Sequence, residues 1–188
     1  MGRRVVITGM GTVNPLGKNV EETWQNVKKG VCGIGPITQI DVTDHAVKLA
    51  GEVKDFTPDP IIDKKEARRM ARFSQFALVA AVEAFEQSGL DMEKEDAKRC
   101  GVNFSSGIGG LKCTEDNYQT GQRRGYDKIS PFYIPMTISN MAGGNIAIRL
   151  GFKGMCTCVV TACASGNNAI GDAFHYVRDG YADVMLCG

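Results

Sequence analysis

Between residues 155 and 177 the hydrophobic pattern changes period, and that change constrains the architecture more tightly than any other feature of the chain. Met155-Cys156-Thr157-Cys158-Val159-Val160 is a short apolar run with β-branched members, the pattern of a buried strand. Ile170, Ala173, Phe174 and Val177 then recur at i, i+3, i+4 and i+7, which is one face of an α-helix. Thr161-Ala162-Cys163-Ala164-Ser165-Gly166 lies between them and is built of small residues, so strand, tight turn and helix follow one another directly. A thiol carried into the first turn of a helix meets unpaired backbone N–H groups and the positive end of the helix dipole, both of which favour thiolate over thiol. Cys163 is therefore the candidate nucleophile, and its small neighbours let a substrate approach the sulfur closely.

The other six cysteines carry no such context. Cys156, Cys158 and Cys187 lie in strand-like runs, and Cys32, Cys100 and Cys113 are scattered singly. Neither the spacing of these thiols nor the two histidines completes a zinc set, so no metal is implied. Seven cysteines, an odd number, without a secretory signal suit reduced thiols in a cytoplasmic protein. Gly9 and Gly11 interrupt the only apolar run behind Arg3-Arg4, and Val6 stands where myristoylation after Met1-Gly2 needs Ser or Thr. No apolar run approaches the ~18 residues of a membrane span. With 22 basic and 21 acidic residues the net charge is +1, which leaves no electrostatic footprint for nucleic acid.

Strand and helix signals alternate along the chain. Val5-Val6-Ile7-Thr8 reads as a strand, Asn19-x-x-Glu22 as the cap of a helix facing inward with Val20, Trp24 and Val27, and residues 47–53 as a strand at a hairpin edge. A long helix with Phe73, Phe76, Ala77, Ala80 and Ala84 on its apolar face stops at Ser88-Gly89, its alanines implying close approach of a neighbour. Residues 100–105 read as another strand, 111–128 as a polar, glycine-punctuated excursion, 138–150 as a helix interrupted at Gly143-Gly144, and 184–187 as a last strand. The order predicts one α/β domain over residues 1–188 with a largely parallel sheet and flanking helices. Gly9-Met10-Gly11 fails as a dinucleotide fingerprint because Asn14 takes the third glycine's place, and Ser165 fails as a hydrolase elbow because Cys163 stands where glycine is required.

A second constellation is basic. Lys65, Arg68, Arg69 and Arg72 are spaced as one helical face, and residues 63–72 hold five basic against two acidic side chains. A solvated helix face is the ordinary reading of such a run.

Thr161–Gly166, the opening Arg3–Gly11, the glycine-rich Asn103–Gly110, and Pro131–Met136 followed by Asn140–Asn145 together resemble the β-ketoacyl-acyl-carrier-protein synthases, most nearly the type II elongation enzymes of bacterial fatty-acid synthesis. The resemblance runs from Arg3 to Gly188 and covers the first half of such an enzyme. It implies a thiolase-like layered fold, no cofactor, and acyl transfer from a carrier-protein thioester to Cys163. Decarboxylation of a malonyl thioester and carbon–carbon bond formation then follow. It further implies an acyl-pocket mouth at Gly107, Ile108 and Gly109, docking of an acidic acyl-carrier protein at Lys65, Arg68 and Arg69, and a homodimer in the complete protein. The family's two histidines and lysine belong to the second half. Neither histidine here replaces them: His175 follows Cys163 by twelve positions, roughly 18 Å along a helix at ~1.5 Å per residue, and His45 sits in a turn-like stretch. The chain is thus expected to be a half-enzyme without condensing activity of its own. A polyketide-type ketosynthase, or a non-catalytic interaction half-domain, is the competing expectation.

Overall fold

The computed structural model describes residues 3–188; Met1 and Gly2, and with them the myristoylation test, lie outside the described residues. Three parallel strands form the central sheet in the order β4-β3-β5: β3 is Cys100–Asn103, β4 is Cys156–Thr157 and β5 is Val184–Cys187. Central β3 is buried along its whole length, as a strand covered on both faces must be. Successive residues of a strand point to opposite faces. Val102 accordingly lies against Gly143 of α6 (Met141–Leu150), whereas Asn103 reaches Ala169 of α7 (Ser165–Arg178). The two helices therefore cover opposite faces, and α3 (Arg72–Ser88) packs outside α6. Ile62, Ala77, Leu78, Ala81, Val102, Ala142, Ile146 and Phe152 form the core between α3, α6 and the sheet.

The parallel α/β layering, the long α3 and its stop at left-handed Gly89 follow the sequence reading. So does α1 (Val20–Lys28), capped by Asn19, whose side chain accepts the Glu22 N–H. Its apolar face does not face inward, however: Trp24 and Val27 are exposed. The 47–53 strand shrinks to β2 (Leu49–Ala50), paired antiparallel with β1 (Gly35–Pro36) as a hairpin apart from the main sheet.

Val5–Thr8 is not a strand here. No described strand lies alongside to complete a ladder, and Val6 and Ile7 are exposed. The segment after it is nevertheless the close neighbour that the α3 alanines implied. A Cβ at Gly9 would lie 2.0 Å from the Ala84 carbonyl oxygen, and one at Gly11 would lie 1.9 Å from that of Ala80. Glu83 ties this layer together by accepting the N–H groups of Thr12 and Val20.

Two further expectations change. Residues 111–128 are not an excursion: α4 spans Leu111–Arg124, with Lys112 paired to Asp116 one turn on and Gly121 buried against the Tyr126 ring. Its scarcity of apolar positions hides it from a hydrophobic-period test. Gly143-Gly144 does not interrupt α6. Gly143 lets the helix approach the sheet, where its nearest neighbours are Val102, Phe104 and the Thr157 carbonyl.

Candidate functional site

Both segments singled out by their small residues emerge from the same edge of the sheet. The register pairs Asn103 with Thr157 at the carboxyl ends of β3 and β4. The chain leaves β3 into Gly107–Gly110 and leaves β4 into the turn that carries Cys163. Ligands of parallel α/β sheets bind outside the carboxyl ends of the strands.

Cys163 does not occupy the first turn of α7. It sits in a single 3-10 turn, Ala162–Ala164, one residue ahead of the helix N-cap Ala164. The side chain is exposed, and Ala162 before it has φ +51°. A non-glycine residue in that left-handed region costs on the order of 1 kcal/mol or more, so the turn needs support. Ser165 supplies it: its hydroxyl donates to the Ala162 carbonyl at 2.7 Å and accepts the Thr161 N–H at 2.8 Å. In the sequence Ser165 is legible only as a small neighbour of the thiol, not as the support of the turn. The available signal was a serine two positions after the cysteine in a turn, where hydroxyls commonly bond nearby backbone.

The buried face of α7 is Ser165, Ala169 and Ala173. Ala173 is buried as the period predicts, whereas Ile170 and Phe174 of the predicted face are exposed and small residues instead meet the sheet. Beneath the helix, buried Asn103 donates to the Ala169 carbonyl at 3.4 Å and to Asp172 at 3.5 Å, and Asn168 donates to Asp172 at 3.0 Å. His175 stands in the last turn of α7, beside the Phe174 ring and at the end remote from Cys163.

Among the other thiols, burial pushes Cys100, Cys113, Cys156 and Cys187 up from the ordinary cysteine range. Cys156 is affected even though the residue as a whole is exposed. Cys32 is the further exposed cysteine. No group of three or more His, Cys, Asp or Glu side chains among the described residues could hold a metal ion, and no described helix is long and apolar enough to cross a membrane.

Ile108 projects from its loop with 69% of its surface exposed, and Gly107 has open space around it. Gly109 is required by the backbone: φ is +77°, and a Cβ would lie 2.1 Å from the Thr137 carbonyl oxygen. Two clefts lie elsewhere. One of about 350 Å³ is lined by residues 14–18, 32–35 and 52–54, and one of about 450 Å³ by Pro60, Ile61, Phe85, Arg149 and neighbours.

The basic cluster is not one helical face. The helix α2 spans only Lys64–Ala67, begun by the Asp63 side chain, and α3 starts afresh at Arg72. Lys65, Arg68 and Arg69 are nevertheless all exposed on this corner. Arg69 stacks on Phe132 at 4.9 Å, whereas Arg72 lies over the Phe56 and Phe76 rings and donates to the Val53 carbonyl. Arg72 thus serves the fold, and Lys65, Arg68 and Arg69 present their charge at the surface.

Residues 2–188 match the family model described as the β-ketoacyl synthase N-terminal domain. Two curated relatives are the 3-oxoacyl-[acyl-carrier-protein] synthases 2 of Synechocystis sp., 48% identical, and of Staphylococcus aureus (strain COL), 50% identical. Each alignment covers 99% of this chain and 45% of the relative, so the chain spans less than half their length. Among solved structures, the ishigamide ketosynthase/chain length factor superposes with a TM-score of 0.91 at 28% identity, covering 100% of this chain and 47% of that one. The layered α/β architecture is that of the ketosynthases.

Proposed function

Because the chain belongs to the β-ketoacyl synthase family, as an N-terminal domain, we propose that it carries the acyl-accepting cysteine of a fatty-acid-elongating 3-oxoacyl-[acyl-carrier-protein] synthase. One observation carries the reading: Cys163 is exposed on a supported turn, outside the carboxyl ends of parallel strands and ahead of a helix N-terminus. Small residues flank the sulfur, and in this reading the Cys163 backbone N–H donates to the negative charge that develops at the attacked carbonyl oxygen.

In the proposed reaction the Cys163 sulfur attacks the acyl thioester carbonyl. A sulfur–carbon bond forms, the carrier's sulfur–carbon bond breaks, and the thiol proton of Cys163 ends on the released carrier thiol. In the second half-reaction a malonyl thioester loses carbon dioxide, its carbanion attacks the acyl-cysteine, and Cys163 leaves. The remote position of His175 and the turn position of His45 leave the decarboxylating groups to the part of such an enzyme beyond this chain's match. The partner in this reading is an acyl-carrier protein docked at Lys65, Arg68 and Arg69, supported by their exposed positive charge. Gly107, Ile108 and Gly109 border the entering acyl chain, supported by the shared sheet edge. A cytoplasmic homodimer completes the reading, carried by the resemblance alone.

Turnover of acyl- and malonyl-carrier protein tests it. The 188-residue chain alone should form no 3-oxoacyl product, and the chain with a separately made carboxy-terminal half should form it, with Cys163→Ala abolishing turnover. Product made by the chain alone, or by the pair carrying Cys163→Ala, would reject the reading.

A further inference from the structure

The turn that bears Cys163 contains a second feature, which lies in Ser165. This residue opens α7, yet its hydroxyl does not cap the helix in the usual way by accepting a later N–H. It faces backward, 5% exposed, and both of its bonds go to the turn: donation to the Ala162 carbonyl at 2.7 Å and acceptance of the Thr161 N–H at 2.8 Å. The Ala162 carbonyl also accepts the Ser165 backbone N–H. Residues 161–165 are thereby closed around Ala162, the residue held at φ +51°. N-cap Ala164 contributes no side-chain bond.

We propose that Ser165 is a positioning residue, a hydroxyl latch that holds Ala162 left-handed and so presents the Cys163 sulfur outward at the sheet edge. Alanine prefers the right-handed region, and without the latch the turn relaxes toward it and carries Cys163 with it. Ser165 touches no reacting atom. It acts through Ala162, which makes a specific suppressor available: glycine adopts positive φ without cost. The assignment rests on the reading of Cys163 as the nucleophile.

The test compares the 188-residue chain with Ser165→Ala, Ser165→Thr and the double variant Ser165→Ala/Ala162→Gly. The readout is the iodoacetamide alkylation rate at each cysteine, resolved by peptide mass spectrometry, with circular dichroism as the check of fold. Ser165→Ala should slow Cys163 by about tenfold, the scale of losing two modest hydrogen bonds, and leave Cys32 unchanged. Ser165→Thr keeps the hydroxyl and should stay within about twofold of the parent. The double variant should recover most of the lost rate, because glycine supplies the conformation that the latch enforced. A Ser165→Ala chain that alkylates at the parent rate would overturn the latch. A folded double variant no faster than Ser165→Ala would overturn it too. If Ser165→Ala unfolds, the double variant decides: folded and within about twofold of the parent supports the latch, and unfolded or slow rejects it. Acyl transfer to Cys163 from an acyl thioester, followed in the parent chain, separates the two claims. Absence of transfer with Ser165→Ala still slow defeats the nucleophile reading and leaves the latch, while transfer with Ser165→Ala unaltered does the reverse.

Discussion

Gly109 shows how a single residue can shape a loop beside the candidate site through its backbone alone. Its φ of +77° and the 2.1 Å approach of a notional Cβ to the Thr137 carbonyl oxygen mean that Gly109→Ala should cost about 1–3 kcal/mol, measurable by denaturant unfolding. An unchanged midpoint would show that the loop relaxes freely. Ile108, by contrast, is exposed and should accept a ring without loss of stability. In the complete enzyme, Ile108→Phe should therefore reduce use of long acyl chains more than short ones, with kcat/KM across chain lengths as the measurement. Equal loss at every length would remove Ile108 from the acyl path. The turn that carries Cys163 was legible in the sequence because small residues and a change of period bracket it. The latch proposed for Ser165 was not, because residue types do not encode whether a hydroxyl turns toward the helix or back into the turn.

Charge is arranged at the level of elements. Arg99 stands just before β3 and Asp183 just before β5, and their ion pair, joined by Arg3, fastens the amino ends of the two strands. The Arg99 guanidinium, then that of Arg3, holds the Asp183 carboxyl well below the usual carboxylate range. A depressed carboxylate stabilises the fold above its unfolded pKa, about 3.9, and loses that contribution as pH falls toward the folded value. Asp183→Asn should thus lower the thermal midpoint at neutral pH by a small amount, since the pair is solvated, and the gap should narrow as pH drops below about 4. A gap independent of pH would deny the ion pair. At the basic patch, reversing Lys65, Arg68 and Arg69 together should weaken acyl-carrier-protein association and flatten its salt dependence, as measured by titration at several ionic strengths. Binding unchanged at low salt would remove docking from this patch. The basic spacing suggested one continuous helix face, but Asp63 and Ala71 begin separate helices. Periodicity found α3 and α7 through their apolar residues; it missed α4, whose exposed polar faces carry little hydrophobic contrast.

Across the whole molecule, although Val5–Thr8 did not add a strand to the sheet, the strand–helix alternation around β3, β4 and β5 was readable, and so was the parallel sheet. The buried faces of α1 and α7 were less so: Trp24, Val27, Ile170 and Phe174 are exposed, as are Val6 and Ile7. Apolar periodicity marks residues able to be buried, whereas the covering partner decides which of them are. The proposed function rests on the Cys163 sulfur accepting the acyl group. Its most direct test is to incubate the 188-residue chain with an acyl-carrier-protein thioester, quench at intervals, and map acyl groups over all seven cysteines by peptide mass spectrometry. A single acyl group should accumulate first at Cys163, be released by hydroxylamine, and be absent from Cys163→Ser. Acylation that appears first at Cys32 or Cys113, or no acyl group at Cys163 while another thiol is modified, would contradict it.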